Sequence, residues 1–165
     1  MKVIHIIGDN YIGRNDRQRT ACRAIIIRDE QILLSYEQKN YLYMLPGGGK
    51  ELKEKDEDCV IREVKEETGF IIEPSKCVLE LDEFYGNAKF ISKYFVGKII
   101  NEAETNLTER EKEVGMVPVW LDINDAVEIF SKYKDFLETD EMRFGLYKRE
   151  ITAIKEILNL DLLIK

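Results

Sequence analysis

GGKELKEKDEDCVIREVKEETGF, residues 48–70, carries the most restrictive spacing in this chain. Gly48 is followed after five residues by Glu54, and after seven more by the run Arg62-Glu63-Val64. The stretch is completed by Glu66, Glu67, Gly69 and the apolar Phe70. This pattern predicts three carboxylates on one side of a short helix directly after a glycine loop. Such an arrangement is typical of a site that holds divalent cations against a phosphate chain.

The segment 55–68 is predicted to form that helix, because it lacks Gly and Pro and is rich in Glu and Lys. Asp56 stands near its start, where we expect its carboxylate to cap free amides. Gly69 is placed where a glycine commonly ends a helix in the left-handed conformation. At helical spacing one apolar stripe, predicted to pack on a sheet, is formed by Val60, Ile61 and Val64.

Glu63, Glu66 and Glu67 are neighbours on the face beside that stripe. Repulsion between like charges at this spacing costs about 0.2–0.5 kcal/mol per pair. A bound cation would make the clustering of the carboxylates favourable instead. Arg62 is predicted to point away from them and to clamp Glu54 with its fork of donors. The alternative is a solvated, Glu-rich helix with interspersed lysines. The complete spacing with its glycine loop favours the functional interpretation.

Residues 48–70 are similar in every defining position to the signature box of the Nudix hydrolases. The resemblance implies an α/β fold, an α/β/α sandwich with a mixed β-sheet and a loop–helix–loop catalytic box at its edge. It also implies dependence on Mg²⁺ or Mn²⁺. Members of the family cleave a diphosphate linkage in a nucleoside diphosphate joined to another group, a small-molecule substrate.

By this resemblance Glu63, Glu66 and Glu67 are metal ligands, Glu63 is a candidate base, and the Gly47 carbonyl is a further metal ligand. Glu54 and Arg62 would hold the box together. The loop predicted to bind substrate is formed by Gly47, Gly48 and Gly49. Lys53 stands where many members have glycine, which we expect to alter the flexibility of the loop.

Family members often take one more glutamate from a loop far along the chain. The candidates lie in LTEREKEVG, before Trp120, and are Glu109, Glu111 and Glu113. Glu111 is the preferred metal ligand or base among them. Each of the three is equally consistent with a solvated loop charge.

The composition of the 165 residues predicts one domain, residues 1–165, with 44% apolar and 35% charged residues. The net charge of −7 argues against a large nucleic-acid footprint, which normally shows as a basic face. It also means that an anionic substrate needs a positive element such as a metal ion. No apolar run reaches the roughly 18 residues that span a bilayer. Three cysteines without metal spacing are consistent with reduced thiols in a cytoplasmic protein.

Periodicity predicts the remaining elements. The predicted strands are 2–7, 21–28, 31–36 and 117–121, with a hairpin of 78–84 and 90–100 around Gly86-Asn87. The predicted helices are 124–133 and 146–160, and the apolar stripe of the second favours the core or a homodimer contact. The basic segment 14–19 is interpreted as a solvated loop, with contact to substrate phosphates as the alternative.

Aromatic residues on the strands flanking the expected cleft are mostly predicted to be core, with one or two stacking on a nucleobase. They are Tyr36, Tyr41, Tyr43, Phe84, Tyr85, Tyr94 and Phe95. The leading hypothesis is a hydrolase of nucleoside triphosphates, ADP-ribose, nucleotide sugars or dinucleoside polyphosphates. The alternatives are a nucleotide sensor that does not cleave and a pyrophosphohydrolase of RNA 5′ ends.

Overall fold

A computed structural model describes residues 1–159. Its strands are β1 (Lys2–Ile7), β2 (Arg17–Ile25), β3 (Ile27–Arg28), β4 (Gln31–Glu37), β5 (Leu42–Met44), β6 (Gly47–Gly49), β7 (Phe70–Pro74), β8 (Leu79–Tyr85), β9 (Ala88–Glu102) and β10 (Met116–Asp122). Its α-helices are α1 (Asp56–Thr68), α2 (Glu109–Val114), α3 (Ile123–Ser131) and α4 (Glu141–Asn159), with a 3₁₀ helix at Lys132–Phe136.

Two sheets build the framework. The larger sheet has the order β1-β8-β9-β2-β6, and β7 pairs with the far end of the long strand β9. β1 runs parallel to β8 and β2 parallel to β9, whereas the other pairs of this sheet are antiparallel. The mixed sheet is therefore confirmed. The second sheet, an antiparallel one of β10, β4, β3 and β5, was not anticipated.

Alternation along the central strands divides the core in two, because successive side chains point to opposite faces. On β4, Leu33 packs with α1, whereas Ile32 and Leu34 pack with α3 and α4. The first core is completed by Cys22, Ala24, Ile26, Cys59, Val60, Val64, Ile72 and Phe95. Helices thus cover both faces, which confirms the α/β/α sandwich and the apolar stripe of α1.

The segment 14–19 is partly a strand, since β2 begins at Arg17 and pairs in parallel with β9 from Ala88 onward. The prediction of a solvated loop is wrong for residues 17–19, because β9 offers a pairing edge that the local sequence does not reveal. Arg14 does lie exposed and pairs with Asp16 at 3.1 Å.

The last helix begins five residues before its predicted start at residue 146. Asp140 explains the difference, because its Oδ1 accepts the Arg143 N–H at 3.0 Å and satisfies a free amide of the first turn. The predicted final residue, Leu160, lies outside the described residues. Among the helices of residues 1–159, none is both long and apolar enough to cross a bilayer.

Candidate active site

The glycine loop is held against β2, where Gly47–Gly49 pair with residues 21–23. A Cβ on Gly47, whose φ is +141°, would lie 2.2 Å from the Cys22 carbonyl oxygen. A Cβ on Gly48 would lie 2.3 Å from Glu63 Oε2. Neighbouring backbone therefore requires glycine at Gly47, whereas at Gly48 the absence of a side chain lets the Glu63 carboxylate lie on the loop backbone.

Helix α1 begins after Lys55, whose side chain makes no cap hydrogen bond, and ends at Gly69 with φ +75°. The predicted left-handed glycine end is confirmed. The predicted cap by Asp56 is wrong, because its carboxylate instead accepts from Lys50 Nζ at 2.5 Å and Lys93 Nζ at 2.6 Å. These two ammonium groups tie the start of the helix to the loop and to β9.

Arg62 is the hub of the box. Its Nε and Nη2 donate to the two oxygens of Glu54 at 2.8 and 3.0 Å, so the predicted clamp is confirmed as a two-pronged pair. Its Nη1 also donates to Glu63 at 2.7 Å and Glu66 at 3.1 Å. The expectation that Arg62 points away from the carboxylates is therefore wrong. The guanidinium lies between Glu54 of the loop and the two helix glutamates and offsets the repulsion between these carboxylates.

The pKa of Glu54 is lowered from 4.5 to about 2, chiefly by the hydrogen bonds from Arg62. Because the folded form holds its proton less tightly than the unfolded chain, this group stabilises the fold above about pH 4.5, and that stabilisation is lost between about 4.5 and 2. We expect the stability advantage of the wild type over Glu54→Gln to shrink over that range, measured by urea unfolding. The exposed Glu73→Gln variant is the control, and an advantage independent of pH would contradict the clamp.

Glu67 is buried, and its Oε2 accepts hydrogen bonds from Ser35 Oγ at 2.7 Å and from the Gly47 N–H at 3.2 Å. Burial raises the pKa of Glu67 to about 7, and these two donors partly oppose the rise. Ser35 was not foreseen as a site residue. The signal for it is a hydroxyl within ILLSYE, a strand otherwise buried and largely apolar.

One cavity of about 700 Å³ is lined by the three box glutamates, the glycine loop and Glu111. Glu63 lies against the loop, where burial raises its pKa despite the opposing guanidinium of Arg62. The Glu66 side chain is the most open of the three, at 30% exposure. The predicted convergence of these carboxylates on one cavity is confirmed, whereas their role as metal ligands remains a prediction.

The donor set is composed of oxygens, which hard divalent cations prefer. Among residues 1–159, no group of three or more His, Cys, Asp or Glu is gathered into a closed metal centre. Mg²⁺ does not need one, since it keeps several waters and takes one or two carboxylates plus substrate phosphates. Neither hydrogen bond to Glu67 uses its Oε1. The residues present therefore fit such an ion, although the Gly47 carbonyl accepts from Arg23 Nη1 at 3.2 Å.

Of the glutamates before Trp120, only Glu111 lines this cavity in the described chain. Its Oε2 accepts the Thr108 N–H at 2.7 Å and its own N–H donates to Thr108 Oγ1 at 3.3 Å, a capping box that orients the side chain. Glu109 pairs with Lys112 at the surface, and Glu113 is exposed. The preference for Glu111 thus gains support from its position.

Arginines in the cavity lining supply the positive element that the acidic chain requires. Arg19, Arg23 and Arg149 line the same cavity as the box glutamates. Arg19 lay within the segment predicted as a solvated loop. Arg149 was missed because the pattern of α4 indicated only a core stripe, and the sequence carries no local signal that its side chain meets the box.

Lys53 adopts φ +67°, a conformation in which a side chain is strained and glycine is not. This explains why glycine suits the position in similar boxes. Lys53 therefore holds a backbone conformation that is strained for lysine and would be unstrained for glycine.

We expect Gly48→Ala to fold and to lose at least about tenfold in turnover, because its Cβ displaces the Glu63 carboxylate by an ångström or more. Gly47→Ala should instead destabilise the fold, since it adds a clash with backbone in a conformation unfavourable to alanine. Melting temperatures and turnover of both variants test this. Unchanged turnover of Gly48→Ala would show that Glu63 is not needed at this spot.

The family model of the NUDIX domain matches residues 17–140. This chain belongs to the Nudix family. The match covers the box and both sheets except β1, and it ends before α4.

YjhB of Bacillus subtilis, a candidate ADP-ribose pyrophosphatase, is 35% identical over 83 residues, which are 49% of this chain and 40% of YjhB. YvcI, an uncharacterised Nudix hydrolase of the same organism, is 28% identical over 102 residues, which are 61% of this chain and 64% of YvcI.

This Nudix chain thus spans less than two thirds of the length of either relative in these matches. Among solved structures, the MutT Nudix hydrolase of Burkholderia pseudomallei superimposes with a TM-score of 0.54 at 21% identity. The superposition covers 66% of this chain and 86% of that one. It shows the Nudix fold.

Proposed function

We propose that this Nudix chain is a pyrophosphohydrolase that uses a divalent metal, Mg²⁺ or alternatively Mn²⁺, to cleave a diphosphate bond in a nucleoside diphosphate derivative. The observation that carries the proposal is one cavity lined by the box carboxylates, the glycine loop and five arginines, Arg19, Arg23 and Arg149 among them. Carboxylates alone would repel a diphosphate. The arginines and a bound cation together make its binding favourable.

The proposed metal ligands are Glu63, Glu66, Glu67 and Glu111, with the Gly47 carbonyl. A bound divalent cation supplies charge stabilisation and lowers the pKa of a coordinated water.

The chain's own part is to position the reactants. Arg62 and Ser35 hold the carboxylates in place, and Arg19, Arg23 and Arg149 bind phosphate oxygens. Glu63 or Glu111 accepts the proton of the attacking water. Water adds across the P–O–P linkage, so a nucleoside monophosphate and a phosphorylated remainder are released.

The substrate class remains that of the sequence prediction: nucleoside triphosphates, ADP-ribose, nucleotide sugars or dinucleoside polyphosphates. ADP-ribose is the first compound to test because YjhB, the relative with the higher identity, is a candidate ADP-ribose pyrophosphatase. The single domain over 1–165, the cytoplasmic location and a homodimer remain predictions.

The test is a panel of these nucleotides with the full chain and Mg²⁺, with products separated by chromatography. We expect monophosphate products that disappear when EDTA replaces the metal, and Glu66→Gln to lose most turnover. Tight binding without turnover would favour the sensor hypothesis. Turnover of 5′-triphosphorylated RNA above all small nucleotides would favour the RNA-end hypothesis.

A further inference from the structure

A second cavity, of about 990 Å³, adjoins the box cavity. It lies between the first half of α4 and the face of the large sheet formed by β8, β9 and β2. Arg19, Arg23 and Arg149 line both cavities, so these guanidiniums mark the junction. A ligand whose phosphates lie at the junction would place its remaining group in the second cavity, which we call the inner cavity.

The floor of the inner cavity combines an aromatic face with a carboxylate. Glu83 of β8 pairs in register with Phe90 of β9, and Phe90 pairs with Arg19 of β2. Residues directly opposite each other on paired strands share a face of the sheet, and their side chains lie side by side. Phe90 is 40% exposed, although it lines a cavity in the body of the protein. Its ring is therefore available to a flat ligand.

Glu83 is buried at 4% exposure, yet among residues 1–159 no group donates a hydrogen bond to its side-chain carboxylate. Its nearest cation is Arg149, whose Nη1 is 3.8 Å away and whose Nη2 bonds to Glu150 at 2.7 Å. Arg23 and Lys148 line the same cavity. A buried carboxylate without donors is costly. Its position on the cavity wall is consistent with a ligand that supplies the donors.

Tyr85, two residues along the same face of β8, also lines the inner cavity. Its buried hydroxyl has no hydrogen-bond partner among the described residues. Gly8 packs so closely on its ring that an added Cβ would lie 2.3 Å from a ring carbon, which holds the ring in place. The wall thus contains an acceptor, the Glu83 carboxylate, and, two residues along the same strand, a buried hydroxyl whose donor is unused in the described structure.

We propose that the inner cavity binds a nucleobase that carries an exocyclic amine beside a ring nitrogen acceptor, as adenine and cytosine do. The amine donates to Glu83, the ring nitrogen accepts from the Tyr85 hydroxyl, and the base packs on Phe90. Hypoxanthine and uracil place a carbonyl oxygen where the amine would be, so they oppose the Glu83 carboxylate with a second acceptor. The phosphates of the same nucleotide reach the junction arginines. This inference rests on the proposed function for the orientation of the nucleotide.

Two pairs of nucleotides that differ at this edge of the base test the proposal. We expect AMP to bind about tenfold or more tightly than IMP, and CMP likewise more tightly than UMP, because a site built to pair a donor rejects the analogue that lacks it. The measurement is isothermal titration of the full chain with EDTA present. Equal affinities within each pair, or no binding of any of the four at millimolar concentration, would overturn the proposal.

Substitutions test which residues cause the preference for a base with an exocyclic amine. Glu83→Gln should reduce the AMP-to-IMP ratio to within about twofold, because the amide can turn a donor toward the carbonyl of IMP. Tyr85→Phe should lower the ratio only partly and should fold even if Glu83→Gln does not. Glu138→Gln, an exposed glutamate that also lines the cavity, is the matched control and should keep the wild-type ratio. An unchanged ratio in Glu83→Gln and Tyr85→Phe would overturn the assignment.

The titration is independent of catalysis, because a monophosphate contains no diphosphate bond. A preserved amine preference with no hydrolysis in the Mg²⁺ panel would contradict the proposed function alone. Hydrolysis in that panel without an amine preference would contradict the inner-cavity proposal alone.

Discussion

Glu67→Gln is expected to lower turnover about 100-fold or more, because several kcal/mol of charge stabilisation by a bound metal depend on its carboxylate. The fold should persist. Both hydrogen bonds to Glu67, from Ser35 and from the Gly47 N–H, reach Oε2, and the carbonyl oxygen of glutamine can accept both. The amide nitrogen then replaces Oε1, the oxygen left for a cation. Steady-state turnover with Mg²⁺ and thermal melting together measure the two effects.

Glu57→Gln is the matched control for this substitution, since Glu57 lies exposed on the same helix. It removes the same charge from α1 and should retain wild-type turnover. Full activity of Glu67→Gln would refute Glu67 as a metal ligand. Loss of activity together with a large drop in melting temperature would point to a structural role for the carboxylate.

Arg62→Ala is expected to lower both stability and turnover. Its guanidinium donates hydrogen bonds to Glu54, Glu63, Glu66 and the Gly49 carbonyl. Removing it leaves these carboxylates close together without a cation between them. We expect a loss of about 2–3 kcal/mol in the free energy of unfolding, and at least about tenfold in turnover from misplaced ligands. For a chain of this size the melting temperature should fall by roughly 5–10 °C.

Arg62→Lys separates charge from geometry in this prediction. A lysine ammonium keeps the positive charge but cannot hold Glu54 with two parallel bonds while reaching Glu63. We expect it to recover only part of the lost stability. Melting of Arg62→Ala at the wild-type temperature would refute the clamp and leave the metal proposal standing.

The sequence alone determined the elements in which local spacing decides the structure. Helix α1, its apolar stripe and its end at Gly69 follow from residues within a few positions of each other. The same is true of the Arg62–Glu54 pair and of the three carboxylates on one helix face. The gap between the strands predicted at 21–28 and 31–36 is likewise local, and Asp29 and Glu30 adopt positive φ in it.

Local spacing was insufficient where a more distant partner competed for the side chain. Asp56 stands where a helix cap is expected. Its carboxylate instead accepts hydrogen bonds from Lys93 on β9 and from Lys50. Arg17 lies within a locally polar segment, yet pairing with β9 makes it part of a strand.

Tertiary structure decided everything that required distant segments to meet. Ser35 is 32 residues from Glu67, and Arg149 joins the box from a helix beyond the family match. The inner cavity requires the register of β8 with β9 and of β9 with β2, which places Glu83, Phe90 and Arg19 in one row. The periodic pattern of apolar residues specifies which residues along the chain share a face of a helix or strand. Strand register and the packing of layers, in contrast, are fixed only when the whole core is buried.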